Sequence, residues 1–141
     1  MALINQAVDA LNLNKKLPKV ITPTVHSVID YAMIGTFILM GALFWKNNRR
    51  ASIAAFGCAA AETTNVLLTD FPGGVTDVIS FETHGRIDGA LAGATASLPN
   101  LLGFGDEPEA KYFRIQGLSI GAVTGMTEFT AKDRESVSSA A

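Results

Sequence analysis

Two histidine–aspartate pairs with identical spacing are the residues of this chain best suited to chemistry. His26 precedes Asp30 by four positions, His84 precedes Asp88 in the same way, and the 141 residues contain no other histidine. Residues four apart on a helix lie one turn apart on the same face, so each pair can present an imidazole and a carboxylate side by side. Such a combination can form a hydrogen-bonded network, bind a metal ion or relay protons.

An internal repeat adds two further carboxylates to the pattern. The segment that begins at His26 returns 58 residues later at His84, and the same offset carries Asp70 onto Glu128. Polar matches are informative in an apolar chain, and a repeat at a fixed period indicates a duplicated structural unit. We therefore expect six ionisable side chains at one end of the structure, namely His26, Asp30, Asp70, His84, Asp88 and Glu128.

Four apolar segments must position these residues. Apolar residues make up 48% of the chain and charged residues 17%, against about 25% charged residues in soluble domains. Each segment has a length near the ~20 residues that a transmembrane helix needs. We predict an all-α fold, a bundle of four transmembrane helices over residues 24–45, 51–71, 84–104 and 112–129. A soluble four-helix bundle is the alternative, because the second and third segments contain Glu62, Asn65, Arg86 and Asp88.

The repeat also predicts how the helices are connected. Each unit, about residues 24–71 and 82–129, is a helical hairpin that starts and ends at the same membrane face. An even number of spans returns the chain to that face, so the two hairpins should be parallel, related by an axis near the membrane normal. The predicted domains are a four-helix membrane domain at 21–130, an interfacial amphipathic helix with its linker at 1–20 and a polar tail at 131–141.

Glycines at a spacing of four mark the second hairpin. They recur on the helices predicted over residues 84–104 and 112–129. Small residues at every fourth position let helix backbones approach closely in lipid. This Gly-x-x-x-Gly pattern predicts close helix packing through Gly85, Gly89, Gly93, Gly117, Gly121 and Gly125.

Several short motifs surround the ionisable residues. They are His26-x-x-Ile29-Asp30-Tyr31, Thr69-Asp70-Phe71-Pro72-x-Gly74, His84-Gly85-x-Ile87-Asp88, Leu101-Leu102-Gly103-Phe104 and Thr127-Glu128-Phe129. Over roughly residues 20–130 the chain resembles small bacterial inner-membrane proteins of the SPW-repeat type, with four predicted spans and a duplicated histidine–aspartate motif. The resemblance implies a multi-pass location in the bacterial inner (cytoplasmic) membrane and no particular activity. Glu128 departs from the pattern, which has aspartate there.

Several function classes find no support in the sequence. The net charge of −2 provides no basic surface for nucleic acid. Cys58 is the only cysteine, which excludes an internal disulfide and a cysteine-based zinc site. Neither a Gly-x-Ser-x-Gly motif nor a phosphate-binding glycine loop is present, and we do not expect an enzyme.

Three functions agree with a cluster of histidines and carboxylates at one membrane face. The first is a structural or accessory role, as a subunit or assembly factor, with the six groups in a hydrogen-bonded network. The second is metal binding akin to di-metal carboxylate bundles, although those use Glu-x-x-His rather than His-x-x-x-Asp; imidazole and carboxylate suit iron, manganese or zinc. The third is transport of protons or a small solute. The expected partners are the lipid bilayer and either a second copy of the chain or a larger membrane complex.

Overall fold

Four helices make up the part of the chain that the computed structural model describes, residues 17–130. They are α1 (Pro23–Phe44), α2 (Arg49–Leu67), α3 (Phe81–Leu101) and α4 (Ala110–Met126). No strand longer than an isolated bridge occurs among these residues, so the prediction of an all-α fold is confirmed. The predicted interfacial helix, over most of its length, and the polar tail lie outside the described residues.

The two helices that carry the histidines begin in the same way. The Thr22 hydroxyl caps α1 by accepting a hydrogen bond from the Val25 amide at 3.3 Å, and the Ser80 hydroxyl caps α3 by accepting one from the Thr83 amide at 3.1 Å. Such a cap satisfies an amide that has no partner within the helix. Because the cap sets the start of each helix, the histidine four residues later falls in the first turn, where it is buried.

Short segments outside the helices hold the histidine end of the bundle together. Ile21, before α1, forms a parallel bridge with Thr127, after α4, and Thr69, after α2, forms one with Ile79, before α3. Both bridges connect one hairpin with the other, and an offset of 58 residues relates their members. The starts of α1 and α3 therefore meet the ends of α2 and α4 at one end of the bundle.

The hydrophobic core lies toward the other end. Phe37, Phe104 and Phe113 are buried there in one cluster with the small alanine side chains of α2. The turns at this end are joined by Arg50, which pairs with Glu107 at 2.8 Å on the surface. The two ends of the bundle thus differ in kind, one apolar and the other built around ionisable groups.

One described helix, α1, has both the length and the composition of a membrane span. It has 22 residues and its last three turns are apolar. By contrast, α2 carries Glu62 and Asn65, and α4 has 17 residues, fewer than the ~20 that a bilayer core requires. Among the described helices only α1 meets both criteria, so length and composition support one of the four predicted spanning helices.

At several of the glycine positions the helices pack less closely than the sequence predicted. A side chain at Gly117 would lie 2.6 Å from the Ala92 carbonyl and 2.8 Å from the Ala96 methyl, so α4 does cross α3 closely there. Gly89 and Gly93 have open space at the position of a side chain, and for them the prediction of close packing was wrong. Their face of α3 points outward, because the buried face is set by the histidine and aspartate. A side chain at Gly121 would make only ordinary contact, and Gly125 is buried.

Candidate metal centre

The four members of the two histidine–aspartate pairs meet in the interior of the bundle. His26, Asp30, His84 and Asp88 are exposed by only 1%, 5%, 0% and 2%. If one nitrogen or oxygen atom is taken from each of the four residues, these four atoms lie within 4.8 Å of one another. Each pair occupies one face of its helix, and the starts of α1 and α3 are adjacent, so the four side chains converge. We call these four residues the His–Asp cluster.

The distances within the His–Asp cluster are short and similar. The two Nε2 atoms of His26 and His84 lie 3.3 Å apart. Each of them lies 3.1 Å from Oδ2 of Asp88. Each also lies 3.3 Å from an oxygen of Asp30, Oδ1 for His26 and Oδ2 for His84. Five contacts among four residues therefore fall within a range of 0.2 Å, and both oxygens of Asp30 take part in them.

Two threonines determine which nitrogen of each imidazole carries its proton. His84 Nδ1 lies 2.9 Å from the hydroxyl of Thr69, and His26 Nδ1 lies 2.7 Å from that of Thr127. Each hydroxyl also donates to the carbonyl four residues earlier in its own helix, at 2.6 Å. A hydroxyl has one proton to donate, so toward the imidazole it can only accept. Both histidines must therefore carry a proton on Nδ1.

With both imidazoles neutral, the inward-facing atoms of the cluster all present lone pairs. A neutral imidazole that is protonated at Nδ1 has a lone pair at Nε2, so neither His26 nor His84 can donate to the other. Asp30 and Asp88 add two negative charges in a buried place, and buried charges require compensation. Only further protons on the imidazoles or a cation between the four side chains would provide it.

The spacing of the four side chains is compatible with a cation between them. A charge-assisted hydrogen bond between an imidazolium and a carboxylate has a length of about 2.7 to 2.9 Å. Ligand atoms at about 2.0 to 2.2 Å from a tetrahedral metal ion are instead separated by about 3.3 to 3.6 Å, the edge of the tetrahedron. The three contacts of 3.3 Å match the shortest such edge, and the two contacts of 3.1 Å also lie within the range of an ordinary N–H···O hydrogen bond.

Asp88 is held in position by a residue of α2. The Asn65 amide nitrogen donates to Oδ1 of Asp88 at 2.8 Å, which leaves Oδ2 as the oxygen that faces the two imidazoles. Such outer contacts orient metal ligands and are a regular part of metal sites. For Asp30 no equivalent amide donor is recorded among the described residues; its two oxygens each lie 3.3 Å from one of the imidazoles.

Three phenylalanines cover the cluster on the side of the interhelix segments. Phe81 is 2% exposed; its ring lies 5.4 Å from that of His26 and 5.8 Å from that of His84, centroid to centroid. Phe71 stacks on Phe81 at 5.2 Å, and Phe129 contacts it at 4.7 Å. The rings exclude water from this side, which strengthens electrostatic interactions within the cluster.

A glycine in α3 is needed for this cover to close. A side chain at Gly85 would lie 2.7 Å from the ring of Phe129. Of the six predicted packing glycines, this one therefore serves the site directly.

A narrow cleft borders the cluster on another side, between α1, α2 and α4. It is lined by cluster members and by Met33, Ile120, Val123, Thr124 and Glu62. Glu62 is 4% exposed, and its Oε1 has no hydrogen-bond partner among the described residues. The sequence marked Glu62 only as a polar residue in an apolar segment, without connecting it to the cluster.

The two remaining predicted residues, Asp70 and Glu128, are not in the group whose ligand atoms converge. Asp70 is exposed and Glu128 is buried. Each directly follows a threonine that faces a histidine, in backbone where successive side chains point to opposite sides. The polar repeat Thr69-Asp70 and Thr127-Glu128 therefore contributes its threonines to the cluster, a role that the sequence analysis did not assign to them.

The arrangement can hold one cation with two nitrogen and two oxygen ligands, oriented by Thr69, Thr127 and Asn65. The ligands come from α1 and α3, and the orienting groups from α2 and from the segment after each of α2 and α4. All four helices thus contribute to the site or border it. No protein-family model, curated protein or solved structure matches this chain.

Proposed function

We propose that this protein is a small helical membrane protein that binds one divalent transition-metal ion in the His–Asp cluster. The observation that carries the proposal is the convergence of two imidazole nitrogens with the carboxylates of Asp30 and Asp88, at contacts of 3.1 to 3.3 Å, with the Nδ1 side of both imidazoles held by threonine. Metal-binding histidines regularly donate their other ring N–H in this way. One divalent ion also balances the charges of Asp30 and Asp88.

Zinc is the metal that we expect. Two imidazole nitrogens and two carboxylate oxygens in a tetrahedral arrangement are ordinary zinc ligands. Iron and manganese accept the same donor types, but geometry is the better guide, and manganese prefers six oxygen ligands. The four protein ligands leave no open coordination position, which is typical of a site that stabilises structure rather than one that performs catalysis.

The rival for the same residues is the structural network, in which extra protons replace the metal. It supports an accessory or assembly role in a larger membrane complex and requires no ion. The two proposals differ in one measurable quantity, the metal content of the purified protein. In the metal proposal His84→Ala removes a ligand of the ion, whereas in the network proposal it removes one member of a hydrogen-bonded network.

The experiment measures metal content by elemental analysis after purification in detergent without chelator. We expect about one zinc ion per chain, lost in His26→Ala and His84→Ala together with thermal stability. Asp70→Asn is the matched control, because it removes an exposed carboxylate from the neighbouring motif. Metal-free wild-type protein with unchanged stability after zinc addition would establish the network instead.

The membrane part of the proposal rests on where apolar side chains lie. In α1 the buried residues near the site are polar, whereas Val28, Ile38 and Leu43 are exposed. Ile53 of α2 and Leu118 of α4 are exposed as well. Large exposed apolar faces indicate contact with lipid or protein. We propose four spans in a bacterial inner membrane, and recovery as a soluble monomer after carbonate washing would contradict this.

We also propose that the two hairpins are parallel repeats. The 58-residue offset relates the two histidines, the two aspartates and the two threonines that hold the imidazoles. The reciprocal bridges at the histidine end follow the same relation. An experimental structure in which residues 24–71 superpose on 82–129 only in inverted orientation would contradict the proposal.

A further inference from the structure

The cleft beside the His–Asp cluster contains polar atoms without partners. Among the described residues, Oε1 of Glu62 and Oγ1 of Thr124 are buried and accept or donate no hydrogen bond. Both residues line the cleft beside Asp30, and they are 4% and 8% exposed. A buried polar group without a partner is destabilising, and a charged one is more so. Two such oxygens in one cleft, beside the carboxylate of Asp30, indicate a ligand that binds between them.

We propose that Glu62 and Thr124, together with Asp30, form a second and weaker binding position for a divalent metal ion, through which the ion enters and leaves the His–Asp cluster. The inference rests on the proposed function, since it requires that the cluster binds a metal. It assigns Glu62 a role in metal exchange rather than in the final coordination.

The position of the cleft supports a route on this side. On the side of the interhelix segments the cluster is covered by the rings of Phe71, Phe81 and Phe129. The cleft is instead lined by Met33 and Val123, which are partly exposed, and by the buried Ile120. Glu62 and Thr124 therefore provide the polar oxygens along an otherwise apolar approach.

The width of the cleft explains why a carboxylate is needed there. The cleft is too narrow for a water molecule, so an entering ion must exchange its hydration shell for protein oxygens. Removing water from a divalent ion is unfavourable unless other oxygens replace it. Glu62 offers a carboxyl group and Thr124 a hydroxyl oxygen, while Asp30 belongs to both positions and can pass the ion on.

The same composition explains why this position is the weaker one. It has one carboxylate of its own, a hydroxyl and one oxygen shared with the cluster, and no imidazole. The cluster has four ligands that its helices already hold together. An ion is therefore expected to rest in the cluster and to occupy the Glu62 position only in transit.

The test measures how fast zinc leaves the loaded full-length protein in detergent, using an excess of a zinc-binding dye. We expect Glu62→Gln, which keeps the shape and removes the carboxyl group, to hold the same amount of zinc and to release it about tenfold more slowly. Glu62→Asp should restore much of the rate, because it returns the carboxylate. The matched control is Glu82→Gln, an equivalent change at an exposed carboxylate paired with Arg86, and it should release zinc as fast as the wild type.

Each other outcome has a distinct meaning. If the wild type binds no zinc, the proposed function and this inference both fail. If the wild type binds zinc and Glu62→Gln releases it at the wild-type rate, only this inference fails. If Glu62→Gln holds no zinc although its helix content is unchanged, Glu62 belongs to the cluster and the second position is refuted. Should Glu62→Gln not fold, Thr124→Val takes its place, and a wild-type release rate in that variant overturns the inference.

Discussion

The two hairpins bring the same ligands to the site and support them differently. Asp88, on α3, accepts a hydrogen bond from Asn65 of α2. The position 58 residues after Asn65 is Val123 of α4, which has no amide to offer Asp30. Asp30 accordingly faces the two imidazoles without an amide donor beside it, and it lines the cleft.

A second pair of positions shows the same asymmetry. Glu62 of α2 is matched, at the 58-residue offset, by Ile120 of α4, and both side chains line the cleft. The polar supporting groups thus come from α2, whereas α4 supplies apolar ones. The comparison teaches that a duplicated hairpin can keep its ligands symmetric while the residues around them decide which side of the site is fixed and which side is accessible.

The largest effects should come from the ligands themselves, where the hairpins are alike. We expect Asp30→Asn and Asp88→Asn each to lower zinc affinity by more than about 100-fold, above the range seen for outer contacts, because each removes a charged ligand. The measurement is a competition titration against a zinc-binding dye. Wild-type affinity in either variant would show that its aspartate does not bind the ion and would break the equivalence of the hairpins.

A smaller effect should follow where the hairpins differ. Asn65→Val removes the amide that donates to Asp88 and puts valine there, as Val123 stands at the equivalent position beside Asp30. We expect a loss of about 10- to 100-fold in zinc affinity. Thr64→Val, at the neighbouring exposed position of α2, is the matched control and should change nothing. Equal affinities of Asn65→Val and the wild type would mean that the hydrogen bond to Asp88 does not orient it.

The converse substitution sharpens the same comparison. Val123→Asn supplies hairpin two with the amide that it lacks, and in the Asn65→Val background it should recover part of the affinity if the hairpins are equivalent. No recovery, in a variant that keeps its helix content, would show that the cleft side cannot hold Asp30 in the same way.

The smallest effect is expected from the two threonines, which should again be alike. Thr69→Val and Thr127→Val keep the volume and remove the acceptor for Nδ1, so each should weaken zinc binding by about tenfold. Thr69→Ser and Thr127→Ser retain the hydroxyl and should bind like the wild type. A valine variant that binds as tightly as the serine variant would contradict the assignment of the Nδ1 protons to these hydrogen bonds.

Parts of the site could be predicted from the sequence and parts could not. The four-residue spacing placed His26 with Asp30 and His84 with Asp88, because helical periodicity alone puts such residues on one face. The choice between Thr69 and Asp70 could not be made in this way, since it depends on the direction of side chains in the short extended segment after α2. A charged residue in a motif attracts attention, yet here the neutral neighbour faces the histidine.

The glycines provide a second example of this limit. Spacing identified Gly89 and Gly117 as members of similar rows, but only Gly117 lies at a close crossing. Periodicity shows which residues share one face of a helix, but it does not show which neighbouring element that face contacts. Which face is covered depends on how α3 and α4 are rotated about their axes, and that rotation is set by packing elsewhere.

The sequence by itself determined the helical class of the fold and the two pairs that form the cluster, because both follow from interactions within a few residues along the chain. Only the tertiary structure decided that the two pairs share one centre, that phenylalanines cover one side and that Glu62 borders the other. These relations join residues far apart in the chain, such as His26 and Thr127. They arise from the packing of whole helices, for which no local pattern of residues provides the distances.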